Sequence, residues 1–332
     1  MNKGYSFGSL RRGLKALCLA GLMLASANAS AAWPDKPITM VVSYGAGGSV
    51  DYIARLLAPR LSERLGQEIV VKNVGGAAGS IGAMQVAKSA PDGYTLMLGS
   101  GSEVAIAWAV NPDLKYNGLK DLAAIALVGT SPMVIVGNKG VAAGNLDALL
   151  DYARTNPGAL SLATSGVGTP QHLLLEYINR RAKTDILHVP YRSAGSILSD
   201  VMGGRVDLSI LTLTTALTQL ESGKLQSYAL TGKQRMDVLS GTPVLEENAA
   251  LKGADFSLWF GLLAPGGTSK DIVERLNREV NAILEEPAIQ KSLKEQGLDA
   301  GGGTSAEFAE FIKKDSEKYQ QIIKSANIVV RS

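Results

Sequence analysis

Two glycine-rich stretches have the residue types to hold a small anion: Tyr44-Gly45-Ala46-Gly47-Gly48-Ser49-Val50-Asp51 and Ser165-Gly166-Val167-Gly168-Thr169. Each follows a short apolar run and precedes an amphipathic one, so each predicts a strand-to-helix turn. Gly47 and Gly48 carry no Cβ, which lets the first turn bend sharply and leave N–H groups pointing outward. The N-terminus of the following helix adds partial positive charge. The commoner uses of such turns are excluded. Val50 stands where a dinucleotide fingerprint needs a third glycine, and no Gly-Lys pair is followed by Ser or Thr as in a P-loop. Asp51 occupies the place where a nucleophile elbow needs glycine. What remains is a small anion such as a carboxylate, or a tight turn that binds nothing.

The polar residues around these turns have two readings each. Tyr44 stacks on or hydrogen-bonds a ligand, or covers the turn. Ser49 is an N-cap, a ligand donor, or both. Asp51 complements the helix dipole or meets a ligand ammonium or hydroxyl. Thr169 and His172 form an N-terminal capping pair or touch the ligand directly. His188, on an expected strand, reads as a core histidine. Arg192 pairs with a ligand carboxylate or with a protein partner such as Asp207. Two histidines, with no HExxH and no elbow, leave metal or triad chemistry without parts, so an enzyme is not expected.

Alternating strands and helices must position these turns. Ile38–Ser43 predicts a buried strand, and Ile53, Leu56, Leu57, Leu61 and Leu65 mark one face of a helix. Strands at Glu68–Lys72 and Tyr94–Leu98 follow, with a second glycine cluster, Gly75–Gly82, between them. The pattern predicts an α/β fold with loops gathered at strand C-termini. Gly129-Thr130-Ser131-Pro132 marks a crossing into a second lobe with its own alternation. Phe256–Leu263 is a strand returning to the first lobe, with two or three helices behind it. The expected boundaries are lobe 1 at 33–132 plus 253–332 and lobe 2 at 133–252.

Residues 1–32 read as a secretory signal peptide: Lys3, Arg11, Arg12 and Lys15 precede an apolar run, and Ala29-Ser30-Ala31 offers a cleavage site. The single cysteine, Cys18, lies inside it, so no disulfide is expected in the mature chain. Removing those four cations from the formal charge of +3 leaves −1, and no nucleic-acid partner is implied. The expected address is the periplasm.

The stretches WPDKPITMVVSYGAGGSVDYIARLLAPRLSERLG, PDGYTLMLGS, TSGVGTPQH, HVPYR, GGRVD and WFGLLAPGGTS together resemble the Bug family, in family order across nearly the whole mature chain. These are periplasmic solute receptors of tripartite tricarboxylate transporters. The resemblance implies a two-lobed, type II (Venus-flytrap) binding protein, each lobe a mainly parallel sheet flanked by helices. Such a protein closes over a small carboxylate and presents it to membrane subunits, as a monomer without cofactor or metal. Carried over by position, Tyr44, Gly47, Gly48, Ser49 and Asp51 supply one side of the site and Ser165, Gly168, Thr169 and His172 the other. Ser102 lines the same cleft. A sensory subunit signalling to a membrane kinase has the same sequence signature. The chain departs from the family pattern at Ser43, where proline is usual, at Ser193, where glycine is usual, and at Pro243-Val244, where Pro-Thr is usual. These departures bear on the ligand's identity more than on the fold. Dicarboxylates, tricarboxylates, aromatic acids and acidic amino acids all suit a donor-rich cleft.

Overall fold

A computed structural model describes Met1, residues 33–111 and residues 113–325 of the chain. Apart from Met1, the expected signal segment, with Cys18 and its cleavage site, lies outside the described residues. Contacts divide the chain after Asp35, and the architecture below concerns Lys36 onward.

The strand β1 (Ile38–Val42) forms from an apolar, largely β-branched run whose residues are nearly all buried, as expected for a strand covered on both faces. The chain then turns through glycine into α1 (Ser49–Leu65), which buries Ile53, Leu57 and Leu61. That helix ends at Gly66, whose φ of 69° is the left-handed cap that releases the chain into β2 (Ile69–Asn73). A further helix, α2 (Ser80–Ala87), leads to β3 (Thr95–Ser100) and then β4 (Leu122–Ser131). After Pro132 come β5 (Met133–Asn138), α3 (Leu146–Thr155), β6 (Ser161–Thr164), α4 (Pro170–Ala182) and β7 (Leu187–Pro190). The elements α5 (Ala194–Met202), β8 (Leu208–Thr212), α6 (Leu213–Glu221) and β9 (Leu225–Leu230) follow. The chain closes with β10 (Leu258–Pro265), α7 (Lys270–Leu284), α8 (Pro287–Glu295), β11 (Asp299–Ala300) and α9 (Ser305–Ser325).

These strands make two sheets, in the order β11-β4-β10-β3-β1-β2 and β7-β6-β8-β5-β9. The first has at its centre β10, all eight residues of which are buried. Trp259 on β10 donates from Nε1 to Asp315 of α9 at 2.7 Å, which pins that helix to the sheet. The second sheet has its own core, with Val134, Val136, Ala163, Ile197, Leu211 and Leu230 among its members.

The two-sheet α/β architecture is the expected one, but the pairing inside each sheet is mixed rather than mainly parallel. In the first, β1 runs parallel to β2 and β3, while β10 is antiparallel to β3 and β4, and β11 to β4. In the second, β6 runs parallel to β7 and β8, while β5 is antiparallel to β8 and β9. Parallel neighbours arise where a helix crosses back over the sheet. The strands by which the chain enters each sheet after crossing, β5 and β10, run in the opposite sense to their neighbours.

The chain passes between the sheets at Pro132 and returns through Thr231–Ser257. Thr231, fully buried, ties these passages together: its Oγ1 accepts from Met133 N–H at 2.9 Å, and its own N–H donates to Met133 O at 2.9 Å. Its carbonyl accepts from Phe256 N–H at 3.2 Å. Replacing Thr231 by Val keeps the shape but leaves the Met133 N–H without that acceptor. Stability in urea unfolding is expected to fall by about 1–3 kcal/mol, and Thr231→Ser to retain most of it.

Candidate functional site

Four helices begin at one hollow. The first turn of α1 (Ser49, Val50), Gln171 of α4, Ser193 and Ala194 of α5, and Thr212 and Thr215 of α6 all line a chamber of about 70 Å³. Its apolar floor includes Leu211, Leu258 and Phe260, and Arg192 stands at its rim. It adjoins a larger chamber of about 490 Å³, whose walls include Gly76–Ser80 and Gly166–Gly168. Tyr44, Ser102, Ser165 and Arg192 line both chambers and so form the neck between them.

The helix starts differ in how their free N–H groups are satisfied. Thr169 caps α4 and Ser193 caps α5 through their hydroxyls, whereas no side chain caps α1 or α6. The hydroxyls of Ser49 and Thr212 bond to each other at 2.5 Å, joining the α1 side to the second sheet across the hollow. Ser49 is thus the first helical residue rather than the N-cap. Gly48 takes the capping place in an extended conformation, φ −93° and ψ 173°. Gln171 is buried, and its Oε1 has no partner although the residue lines the smaller chamber.

Of the residues singled out in the sequence, Tyr44, Gly48, Ser49, Ser102 and Ser165 line the smaller chamber and Gly168 the larger. Gly47, Asp51, Thr169 and His172 line neither. Gly47 lies in the left-handed region with φ of 86°, and its N–H donates to Asp51 Oδ2 at 3.0 Å. Asp51 also accepts from Asn73 Nδ2 at 3.0 Å and Arg55 Nε at 3.1 Å, so it braces the turn from behind. Burial alone would raise its pKa, but bonds from Arg55, Gly47 and Asn73 outweigh that and hold the carboxyl below its usual range. Thr169 donates to Gly166 O at 2.8 Å and accepts from His172 N–H at 3.3 Å, which makes it a cap.

His172 Nδ1 accepts from Gly168 N–H at 3.1 Å, and its ring stacks on His188 at 4.2 Å. His188 in turn bonds Thr164 Oγ1 at 2.6 Å. This histidine pair therefore holds the second turn against its helix. Asp207 is taken by Ser161, accepting from its N–H at 2.8 Å and Oγ at 2.7 Å, so it is not the partner of Arg192. Among the described residues no carboxylate pairs with Arg192, and none lines the smaller chamber.

The residue that sequence reasoning missed is Glu103, fully buried in one wide π-helical turn, Ser102–Ile106. Its Oε1 accepts from Ser43 Oγ at 2.5 Å and Ser100 N–H at 2.7 Å. Its Oε2 accepts from Ser100 Oγ at 2.8 Å and Tyr44 Oη at 3.0 Å. Desolvation raises its pKa, and the bonds from Ser43 and Ser100 offset part of that rise. The visible signal was an acidic residue at the head of the apolar run Val104–Val110, where an unpartnered charge is costly. Gln171 and Thr212 carried no local signal, and Ser193 stood out only as a departure from the family pattern.

Comparison with known proteins bears on this site. The family described as the tripartite tricarboxylate transporter family receptor matches residues 53–328. BugT of Bordetella pertussis (strain Tohama I) is 33% identical over 316 residues, spanning 93% of this chain and 96% of its own. The Rpa4515 protein of R. palustris, solved with adipate, superposes with a TM-score of 0.86 at 32% identity, over 89% of this chain and 99% of that one. MatC from the same organism, solved with bound malate, superposes at 0.83 with 28% identity, over 88% and 100%.

The histidine pair makes stability depend on pH. Burial, followed by the neighbouring His172, lowers the pKa of His188 from 6.5 to about 4. The unfolded chain therefore takes up a proton near 6.5 that the folded chain refuses until about 4, so stability falls as pH drops through that window. Glu176, held below its usual range chiefly by His172, adds loss in the same direction at the acid end. The thermal midpoint is expected to decline between pH 6.5 and 4, with a shallower slope in His188→Gln.

Proposed function

Because the chain belongs to the tripartite tricarboxylate transporter receptor family, we propose that it captures a small organic carboxylate between its two sheets and delivers it to the membrane subunits of such a transporter. The observation that carries this reading is the smaller chamber: four helix N-termini face it, two of them without side-chain caps, and no carboxylate side chain competes for them. A carboxylate there accepts several charge-assisted hydrogen bonds worth about 1.5–3 kcal/mol each. Three or four of these total about 4.5–12 kcal/mol before ordering costs, which makes capture reversible.

Tyr44, Gly48, Ser49, Ser102 and Ser165, joined by Gln171, Thr212 and Arg192, are the proposed ligand-contacting residues. Gly168 borders the tail end of the ligand. Gly47, Asp51, Thr169 and His172 shape the turns. In this reading the lobes take the boundaries 33–132 with 253–332 and 133–252. Pro132 and the Thr231 junction form the hinge. Ligand bridging α1 to the three helix starts of the second sheet stabilises the closed arrangement by the contacts it gains there. The receptor works in the periplasm as a monomer, exported by its N-terminal signal, and it needs neither cofactor nor catalysis. The solved relatives with adipate and malate support a ligand of this chemical class.

The test is a thermal-shift screen of organic acids followed by calorimetry. Saturating ligand is expected to raise the midpoint by a few degrees. A Cβ at Gly48 meets no atom within 4 Å and its φ of −93° suits any residue, so Gly48→Trp fills the chamber without backbone strain. It is expected to abolish binding and leave the ligand-free midpoint near that of the unaltered protein. Unchanged affinity in that variant overturns the site. Arg192→Ala is expected to weaken dicarboxylates more than monocarboxylates and to flatten the salt dependence of binding.

A further inference from the structure

The smaller chamber does not donate from every wall. Tyr44 and Ser100 both line it, and their hydroxyl protons are already committed. Ser100 Oγ donates to Glu103 Oε2 at 2.8 Å, and Tyr44 Oη donates either to that same oxygen at 3.0 Å or to Ala78 O at 3.1 Å. The carboxylate has all its other places filled by donors too, one of them the Ser100 N–H, which can only donate. Three donors, and a fourth when Tyr44 turns its proton this way, suit the ionised form, which accepts hydrogen bonds and offers none. The backbone makes room for it: a Cβ at Gly99 would stand 2.7 Å from Oε1, and one at Gly79 would stand 3.0 Å from Oε2. What Tyr44 and Ser100 have left to offer is lone pairs, on two oxygens 3.5 Å apart.

We propose that this wall selects carboxylates that also carry a hydrogen-bond donor, a hydroxyl or an ammonium, with Tyr44 and Ser100 accepting that donor and Glu103 acting as the positioning residue that fixes their polarity. The inference rests on the carboxylate reading above. The acid head meets the helix N-termini, and the donor meets the two lone-pair oxygens across the chamber. A plain acid of the same length leaves both oxygens facing a methylene, with two buried acceptors unpaired. The negative charge behind them further favours an ammonium.

Calorimetry with matched acids tests this: succinate against malate and aspartate, and glutarate against 2-hydroxyglutarate and glutamate. The donor-bearing member of each set is expected to bind at least about tenfold more tightly than the plain one, because unpaired site acceptors discriminate strongly. In Glu103→Gln the new amide must donate to one of its former donors, which turns a hydroxyl proton toward the chamber. The ratio is expected to collapse toward one, a change that a purely structural role for Glu103 does not produce. Tyr44→Phe removes one acceptor and is expected to lower the ratio several-fold, which decides the matter if Glu103→Gln does not fold. Equal or weaker binding of the donor-bearing acids, or a ratio that survives both substitutions, overturns the proposal while leaving a carboxylate receptor intact. Failure of every acid to bind overturns the carboxylate reading and this inference with it.

Discussion

Unsatisfied amides at helix starts are the constraint around which this molecule is arranged. A helix leaves its first N–H groups without internal partners, and burying them requires a cap, water or a ligand. Here α1, α4, α5 and α6 all start at one hollow, and only α4 and α5 carry side-chain caps. The two uncapped starts are the pair whose first hydroxyls, Ser49 and Thr212, meet across the space between the sheets. The field there comes from fixed backbone dipoles together with one charged side chain among the described lining residues, Arg192, so most of it is in place without reorganisation.

A positive hollow by itself would accept many small anions. Discrimination has to come from groups of opposite polarity, and burying them is expensive unless every bond is made. Glu103 meets that condition with three donors, four when Tyr44 turns its proton this way, and no exposure. Its position depends on a wide helical turn and on two glycines whose missing side chains leave space for the carboxylate. The strained segment facing the larger chamber belongs to the same arrangement. Ala77 and Ala78 sit at positive φ, 47° and 53°, between glycines that do the same, and Ala78 O lies within reach of Tyr44. Residues other than glycine rarely hold that conformation, so the surrounding contacts must over-determine it.

Much of this was readable before the fold was known, and the boundary between readable and hidden is physical. Turn chemistry is local: the glycines of the first turn, the Thr169-Pro170 start of α4 and the spacing of Ile53, Leu57 and Leu61 each announce a conformation within a few residues. The division into two α/β halves follows from the same alternation. What stayed hidden depends on chain segments far apart. Ser49 looks like a cap until Thr212, more than 160 positions away, claims its hydroxyl. Asp207 looks like a partner for Arg192 until Ser161 proves to hold it. Strand direction in β5 and β10 was misread because a local strand pattern is the same whichever way its neighbours run. Glu103 was the one hidden residue with a local flag, a charge at the head of an apolar run.

The helix starts are not shared equally. One, α1, belongs to the first sheet's side, whereas α4, α5 and α6 all rise from the second, which also carries Arg192. Were the halves to separate, the second would keep three of the four helix starts and Arg192, the one cationic side chain among the described residues that line the smaller chamber. The hollow is lopsided: most of its polar starts lie on the second half, and the face that separation would uncover is the one toward α1.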